Sequence, residues 1–511
     1  MAVMGKETEL KLEVAPRDLQ KLKAARTFRR AQGEMARTDN LVSVYFDTPK
    51  RKLQRKGVSL RIRKIGGRRV QTIKTEASDD ALGRGEWERR IKGDEPDLRK
   101  ARGTPLAPVL TRKVKRALGP VFETRVRRTS IPLRWNGSRI EMALDEGQVR
   151  AGAKSAAIGE VELELKRGKA VDLFRLARVI GHLVPARLAL KSKSQRGYEL
   201  GAGGDTSAVR AQPIALRRGM RTAEGLRMIA RSILRHIAAN EPAVRQSDSE
   251  AVHQMRVGLR RLRAAMSLFS KLLGDDQSER VKKELKWLTA ELAPARDLDV
   301  YARDKVEPAR RSQAAKRGMD ELADELMARR AAAFGKARMA LESARYGSLL
   351  LDTLHWLENG DWGKRSNRDG RRPIERFAAD VLARRAKKVM KTAKALRQLD
   401  AGERHKLRIA IKKLRYASDF FVGLFAGRKQ ARRLSGFKSR LRSLQDRLGA
   451  LNDIAVHQKL ATSLATEDTG SHRRERAFAA GIVSGHEQSE IEPLLKAAVR
   501  DACKLTRLRP F

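Results

Sequence analysis

The chain has 511 residues but very little cysteine, few acidic residues and no long apolar run. Its single cysteine, Cys503, excludes an intramolecular disulfide framework and a thiolate metal cluster. No stretch approaches the roughly 18 apolar residues of a membrane-spanning helix. The opening MAVMGKETEL lacks the apolar centre of a signal peptide, so a cytoplasmic location is expected. Acidic residues number 61 against 112 lysines and arginines, leaving a formal net charge of +51. Such an excess asks for a polyanionic partner, either nucleic acid or another phosphate-bearing polymer. Residues 1–200 carry 47 basic and 24 acidic side chains, and residues 201–511 carry 65 and 37. The charge is therefore spread over the chain and does not form a basic tail.

What is present divides near Gly201-Ala202-Gly203-Gly204-Asp205-Thr206-Ser207, a small, polar stretch with the character of a linker. The expected partition is a first domain over 1–203, a linker over 204–213 and a second domain over 214–508. Before the linker, short segments alternate apolar and polar residues with period two, as half-buried strands do. They include Glu7–Leu12, Val58–Arg63, Gln71–Lys74, Arg139–Asp145 and Glu160–Lys166. Gly66-Gly67, Asn136-Gly137 and Glu146-Gly147 read as turns between them. Two helices are expected, near Pro16–Ala31 and Ala170–Leu183. After the linker the sequence becomes rich in Ala, Leu, Arg and Lys, with breaks near Gly274–Ser278, Glu358–Pro373, Leu399–Glu403 and Thr466–Ser471. The fold class is α+β, an antiparallel β-domain followed by an all-helical one.

The polar faces of the strands are specialised. Glu7 and Glu9 share a face with Lys11, Glu160, Glu162 and Glu164 with Lys166, and Arg61 pairs with Arg63. Carboxylates two residues apart on adjacent strands repel unless a cation lies between them, and hard oxygen ligands suit Mg²⁺ or Mn²⁺. Arginine and lysine on facing strands suit phosphate oxygens. A barrel lined with both would hold a metal–polyphosphate complex, as phosphoryl transfer requires.

These residues resemble the CYTH domain, the triphosphate tunnel metalloenzymes, beginning with the ExExK pattern Glu7-Thr8-Glu9-Leu10-Lys11. The resemblance continues in order through Tyr45–Pro49, Ser59–Arg63, Thr72–Lys74, Glu86–Glu88, Ile140–Gly147, Glu160–Lys166 and Ser192–Tyr198. It implies an antiparallel β-barrel whose polar tunnel holds a triphosphate, as in bacterial inorganic triphosphatases. Carried over, Glu7, Glu9, Lys11, Glu160 and Glu162 are the expected catalytic residues. Glu7, Glu9, Glu160, Glu162 and Asp145 form the expected metal side. Lys11, Arg61, Arg63, Lys74, Arg128 and Lys193 would grip phosphates, with Arg125 and Arg127 beside Arg128, and Glu88 would also line the tunnel. One metal would bind the triphosphate, and a second could orient water. No general base is identifiable. No aromatic cluster is placed to stack a base or thiazolium ring; Trp87 and Trp135 are the nearest candidates, and a strand tryptophan is more often core or rim. Inorganic tripolyphosphate is therefore the favoured substrate, cleaved to phosphate and pyrophosphate. Adenylate cyclisation and nucleotide or thiamine triphosphate hydrolysis are the alternatives.

The second region repeats itself. His253-Gln254-Met255-Arg256-Val257-Gly258-Leu259-Arg260-Arg261-Leu262-Arg263 returns 152 residues later as His405-Lys406-Leu407-Arg408-Ile409-Ala410-Ile411-Lys412-Lys413-Leu414-Arg415. A second echo sets Leu292, Asp297 and Val300 against Leu448, Asp453 and Val456. So long a period means two large helical halves. His253, Arg256, Arg260 and Arg263 fall on one helix face, as do His405, Arg408, Lys412 and Arg415. Met255, Leu259 and Leu262, and Leu407, Ile411 and Leu414, mark the apolar sides. Each histidine lacks a second ligand four residues away, which argues against zinc.

These motifs, with Arg296-Asp297 and Leu451-Asn452-Asp453, resemble the CHAD domain over about 215–505. The resemblance implies two pseudo-symmetric helical bundles and a basic groove that binds long-chain inorganic polyphosphate. It carries no catalytic activity of its own. The combined expectation is a metal-dependent triphosphatase with a polyphosphate-binding module, with association with polyphosphate granules left open. A non-catalytic polyanion scaffold is the alternative, nucleic acid would be at most a non-specific secondary partner, and oligomeric state is not legible.

Overall fold

Period-two alternation in the first 200 residues becomes nine antiparallel strands in a computed structural model, which describes residues 5–75, 83–189, 191–203, 207–311, 318–363, 368–425, 427–466 and 472–508. The strands are β1 (Gly5–Val14), β2 (Arg37–Asp47), β3 (Val58–Ile65), β4 (Arg68–Thr75), β5 (Gly83–Ile91), β6 (Gly119–Trp135), β7 (Ser138–Ala151), β8 (Lys154–Arg167) and β9 (Ala186–Leu188). Their order is β5-β4-β3-β2-β6-β7-β8-β1-β9, and β1 also meets β5. That last seam is short: Gly5–Thr8 against Gly83–Glu86, four residue pairs. The expected barrel is thus a sheet curled round on itself and fastened at one end, rather than an evenly closed cylinder.

The curl gives the alternation its meaning. Leu10, Leu12, Val161 and Leu163 point away from the enclosed face and are buried. The helix Val171–Leu183 packs on β1 and β8 and buries Leu173, Phe174, Leu176 and Ile180. Each such side chain contributes about 1.5–3 kcal/mol on leaving water. Glu9, Lys11 and Glu162, the alternate residues, are left facing inward.

Two expectations need correction, and the compact units divide the chain differently from the expected domains. Pro16–Ala31 is two helices, Pro16–Ala24 and Arg26–Ala31, because Ala25 adopts an extended backbone between them. Glu146-Gly147 is no turn, since β7 runs straight through it. Gly147 lies opposite Val126 on β6, and a Cβ there would sit 2.0 Å from the Arg125 carbonyl oxygen. The glycine serves a close backbone approach. Finally, the compact units are 1–206 with 343–359, and 207–342 with 360–511. The helix Ala344–Asn359, which the sequence assigns to the helical domain, packs in the first unit against Val171–Leu183 and β9, with Arg178 bonded to Asp352 at 2.7 Å. Of the expected linker, residues 204–206 lie outside the described residues.

The second unit is helical and carries the repeat in its architecture. Helices beginning at Thr222, Ser249 and Asp276 are matched by helices beginning at Ile374, Ala401 and Arg428, each 152 residues later. Asp248 and Asp400, also one period apart, cap the two helices that bear the histidines. The halves diverge at their third helix. Arg428–Thr466 is continuous, whereas the first half breaks at Leu292 and restarts as Ala293–Tyr301 with Pro294 in its first turn.

Asp47 shows what the Tyr45–Pro49 motif does. It is 1% exposed and accepts bonds from the amides of Thr48, Leu53 and Gln54 and from the Tyr198 hydroxyl at 2.7–3.0 Å. Asp47→Ala should strand those donors and cost about 3 kcal/mol of stability. Denaturant unfolding of the full chain, with faster amide exchange at Leu53 and Gln54, would register this; unchanged exchange would refute the clamp.

Candidate active site and basic helical cluster

The inward faces of β1–β6 and β8 and the start of the helix Lys193–Gly201 enclose a polar cavity of about 190 Å³. Lys11, Arg61, Arg63, Lys74, Arg128 and Lys193 all line it, together with Glu9, Glu88 and Glu162. Ser192 caps the helix in a capping box with Gln195, which fixes Lys193 at its first position. The Lys193 ammonium donates to Glu160, lies 2.8 Å from Asp145 and donates to Glu162 at 2.9 Å. Arg128, in register with Asp145 across β6 and β7, donates two bonds to it at 2.7 and 2.6 Å and a third to Glu162. Arg125 and Arg127 face outward to Glu123 and Glu146, which settles the register. Lys11 bonds Glu162 at 2.8 Å and lies 3.3 Å from Glu9.

The electrostatics follow from this crowding. Burial opposes the charge of Glu162, but Arg128, Lys11 and Lys193 override it and hold its pKa well below the ordinary carboxylate value. Burial likewise opposes the Lys193 ammonium, and Asp145, Glu160 and Glu162 push its pKa up. Arg63 is the contrasting case: burial, then repulsion from Arg61 and Arg128, lowers its pKa to about 10. Cations and carboxylates therefore interleave, with Lys11, Arg128 and Lys193 standing among Asp145, Glu160 and Glu162.

Asp145, Glu160 and Glu162 each offer an oxygen within 4.8 Å of the others, the spacing of a shared metal ion. Glu160 Oε1 is buried without a hydrogen bond, its cation Arg196 standing 3.3 Å away. An all-carboxylate donor set of this kind fits a hard divalent ion. Glu9 instead sits with Lys11, and the side chain of Glu7 lies outside the described residues. Sequence reasoning missed Glu86, which bonds Lys74 at 2.6 Å and lies 3.6 Å from Arg61. Its signal was available, two residues from Glu88 on one strand. Trp87 points the other way and packs against the core cluster of Leu60, Ile62 and Ile73. Tyr45 is the aromatic ring of the cavity wall, but it is stacked on Phe122 at 4.4 Å.

In the helical unit, the two histidine helices, Ser249–Leu268 and Ala401–Phe420, pack together through their apolar sides; Met255, Leu259, Leu262, Leu407, Ile411 and Leu414 are at most 2% exposed. The basic stripes converge: Arg260 repels both Arg408 and Lys412. The arrangement is two-fold, with Arg256 3.5 Å from Asp297 and Arg408 3.6 Å from Asp453. Arg256 Nε and Nη1, Arg260 Nε and Arg408 Nε are buried with no hydrogen-bond partner among the described residues. His405 Nδ1 meets Asn452 Oδ1 at 2.6 Å. Arg415 bonds Gln445 at 2.9 Å, and Arg263 is exposed and acts on Lys413, off the stripe. Burial, followed by the charges of Arg408 and Arg260, lowers the Lys412 pKa to about 8.

Residues 5–198 match the CYTH domain family and residues 228–462 the CHAD domain family. The chain is a two-domain CYTH–CHAD protein. It is 30% identical to the crystal structure of a CHAD domain from the plant Ricinus communis, over 60% of this chain and 98% of that one, with a TM-score of 0.51. It is also 30% identical over 206 residues to an inorganic triphosphatase of Haemophilus influenzae, matching 39% of this chain and 56% of the relative. The chain thus spans about half the length of that curated relative. PptA from Streptomyces chartreusis is 18% identical over 56% of this chain and 100% of its own, with a TM-score of 0.42. Among the described residues no helix is long and apolar enough to cross a membrane.

His253 supplies a direct check on the basic cluster. Burial, then Arg296, lowers its pKa to about 4. An NMR titration should show it neutral down to pH 5, against about 6.5 for a free histidine. The sign follows: between pH 6.5 and 4 the unfolded chain takes up the proton first, so this residue's contribution to stability falls as pH falls. A midpoint near 6.5 would mean that the cluster is open to water.

Proposed function

We propose that the CYTH unit hydrolyses inorganic tripolyphosphate to phosphate and pyrophosphate, and that the CHAD unit binds long-chain polyphosphate. The observation that carries the first part is one small cavity lined by six cations, three of which, Lys11, Arg128 and Lys193, also contact the Asp145–Glu160–Glu162 carboxylates. Lys11, Arg61, Arg63, Lys74, Arg128 and Lys193 bind and orient the phosphate chain, with the arginines able to make bidentate contacts. Glu160, Glu162 and Asp145 hold a divalent ion, Mg²⁺ or Mn²⁺; Glu7 and Glu9 belong to the same proposed metal side. When bound, such an ion supplies Lewis-acid stabilisation of charge on the phosphoryl oxygens. Among the described residues the cavity offers no unoccupied aromatic face for a base or thiazolium ring, Tyr45 being stacked on Phe122, which favours an inorganic substrate over ATP or thiamine triphosphate.

For the second part, four buried guanidinium nitrogens without partners support an anionic ligand, because such donors are costly unless satisfied. His253, Arg256, Arg260, His405, Arg408, Lys412 and Arg415 form that surface, and Arg263 stands at its margin. The two proposed functional modules are residues 1–203 and 214–508, with the helix Ala344–Asn359 of the second span packed in the compact unit of the first.

A substrate panel of tripolyphosphate, ATP, thiamine triphosphate and long-chain polyphosphate, with and without Mg²⁺, tests the reading directly. Turnover should be greatest with tripolyphosphate and vanish on chelation; preference for a nucleotide would replace it with the cyclase or nucleotidase alternative. Glu162→Gln should lower turnover at least about a hundredfold, the upper range for perturbing a metal's surroundings. Arg260→Ala combined with Arg408→Ala should weaken retention on long-chain polyphosphate about tenfold or more; unchanged retention would reject the stripe as the binding surface.

A further inference from the structure

The helix Ala401–Phe420 has a second basic face, turned away from the His405–Arg408–Lys412 stripe. With the helix Ile374–Lys394 and the end of Ser249–Leu268 it borders a groove of about 890 Å³. Arg384, Arg385 and Lys388 form one rim, and Lys406 and Lys413 the other. Arg385 donates to the Ser267 carbonyl at 2.9 Å. Among the described residues none of Arg384, Lys388, Lys406 and Lys413 has a carboxylate partner. Glu403, the acidic residue of the lining, is committed to capping its own helix through Asp400. Between the rims the floor is apolar: Phe377, Val381 and Leu407 lie beneath, and Ile409 is 38% exposed.

That pairing of features selects the ligand. An inorganic phosphate chain gains nothing from the apolar floor and finds, at the other face, buried arginine nitrogens with no hydrogen bond among the described residues. A flat aromatic ligand finds no free ring, since Phe377 is 5% exposed and stacked on Phe269 at 4.8 Å. A second copy of this chain, at +51, is repelled. A partner helix with an apolar stripe flanked by carboxylates satisfies floor and rims together. The wall from Phe377 to Thr392 extends about 22 Å at 1.5 Å per residue, room for about four turns of such a helix.

We infer that this groove docks an acidic amphipathic helix of a partner protein, through carboxylates on Lys388 and Lys413 and an apolar stripe over Ile409. The mode is helix-in-groove recognition, in which the apolar anchors give affinity and the flanking charges give register and speed of encounter.

The probe is a fluorescent peptide of about 15 residues, with leucines at helical i, i+3, i+4 and i+7 positions and glutamates between. Its anisotropy is followed on the full chain at ~150 mM salt, where exposed charge alone is well screened. It should bind about tenfold or more tightly than a scrambled peptide of identical composition. Lys388→Glu with Lys413→Glu should lower that affinity at least about tenfold, and Ile409→Ser about threefold, both with wild-type melting midpoints. Equal binding of the scrambled peptide would overturn the proposal, as would undiminished affinity in the charge-reversed variant. So would displacement of the peptide by long-chain polyphosphate together with loss of polyphosphate retention in that variant, since the groove would then be part of the polyanion surface.

Discussion

The sheet domain depends on mutual neutralisation of charges that could not be buried singly. Asp145, Glu160 and Glu162 are at most 9% exposed, and each touches Lys193. Removing an ion from water costs several kcal/mol even after the surroundings relax, and leaving it unpaired costs more. The network therefore ties β7, β8 and the helix at Lys193 into one rigid arrangement before any ligand arrives. On the proposed reading a metal–triphosphate complex is matched to this arrangement, because it brings both signs at once. Carboxylates that give up a lysine gain a divalent ion, and the lysine gains a phosphate oxygen. A bare anion or a bare cation would satisfy only one side of the exchange.

The helical domain solves the opposite problem. Arg256, Arg260 and Arg408 are brought together by a hydrophobic seam, not by carboxylates; Asp297 and Asp453 stand at 3.5 and 3.6 Å and answer only part of the charge. Burial raises the Asp297 pKa and Asp453 raises it further, while Arg256 draws it down. The surplus is positive and its donors are unfilled. On the proposed reading such a surface suits a ligand that supplies negative charge continuously along its length, whereas the sheet cavity suits one of fixed length with a metal.

Much of this was legible in the sequence because it rests on periodicity. Period two placed Glu9, Lys11, Glu162 and Arg61 on one side of the sheet, and the 152-residue repeat placed His253 opposite His405 in the pattern. Where the sequence misled, the cause was tertiary. Gly147 resembles a turn residue because glycine serves both turns and close backbone approaches, and only the strand opposite distinguishes them. Arg263 has the helical spacing of the stripe, but its side chain is long enough to follow the charge and solvent beyond it. The helix Ala344–Asn359 has the composition of the helical domain, and only its packing on β9 assigns it to the other unit. Glu86 was overlooked because Lys74 and Arg61, its partners, are distant in sequence.

One departure from the two-fold pattern has a physical consequence. Where the first half has Arg260, the second has Lys412. A guanidinium keeps its charge when buried, and an ammonium gives it up much sooner. Burial and the neighbouring Arg408 and Arg260 bring the Lys412 pKa to about 8, so above that pH the second half loses this charge. A bound polyanion would restore the proton, which couples ligand uptake to proton uptake on one side of the cluster only. The repeat thus yields two related but unequal halves, one bearing a guanidinium and one whose ammonium charge fades as pH rises through 8, and on the proposed reading the second attracts a phosphate chain less strongly above that pH.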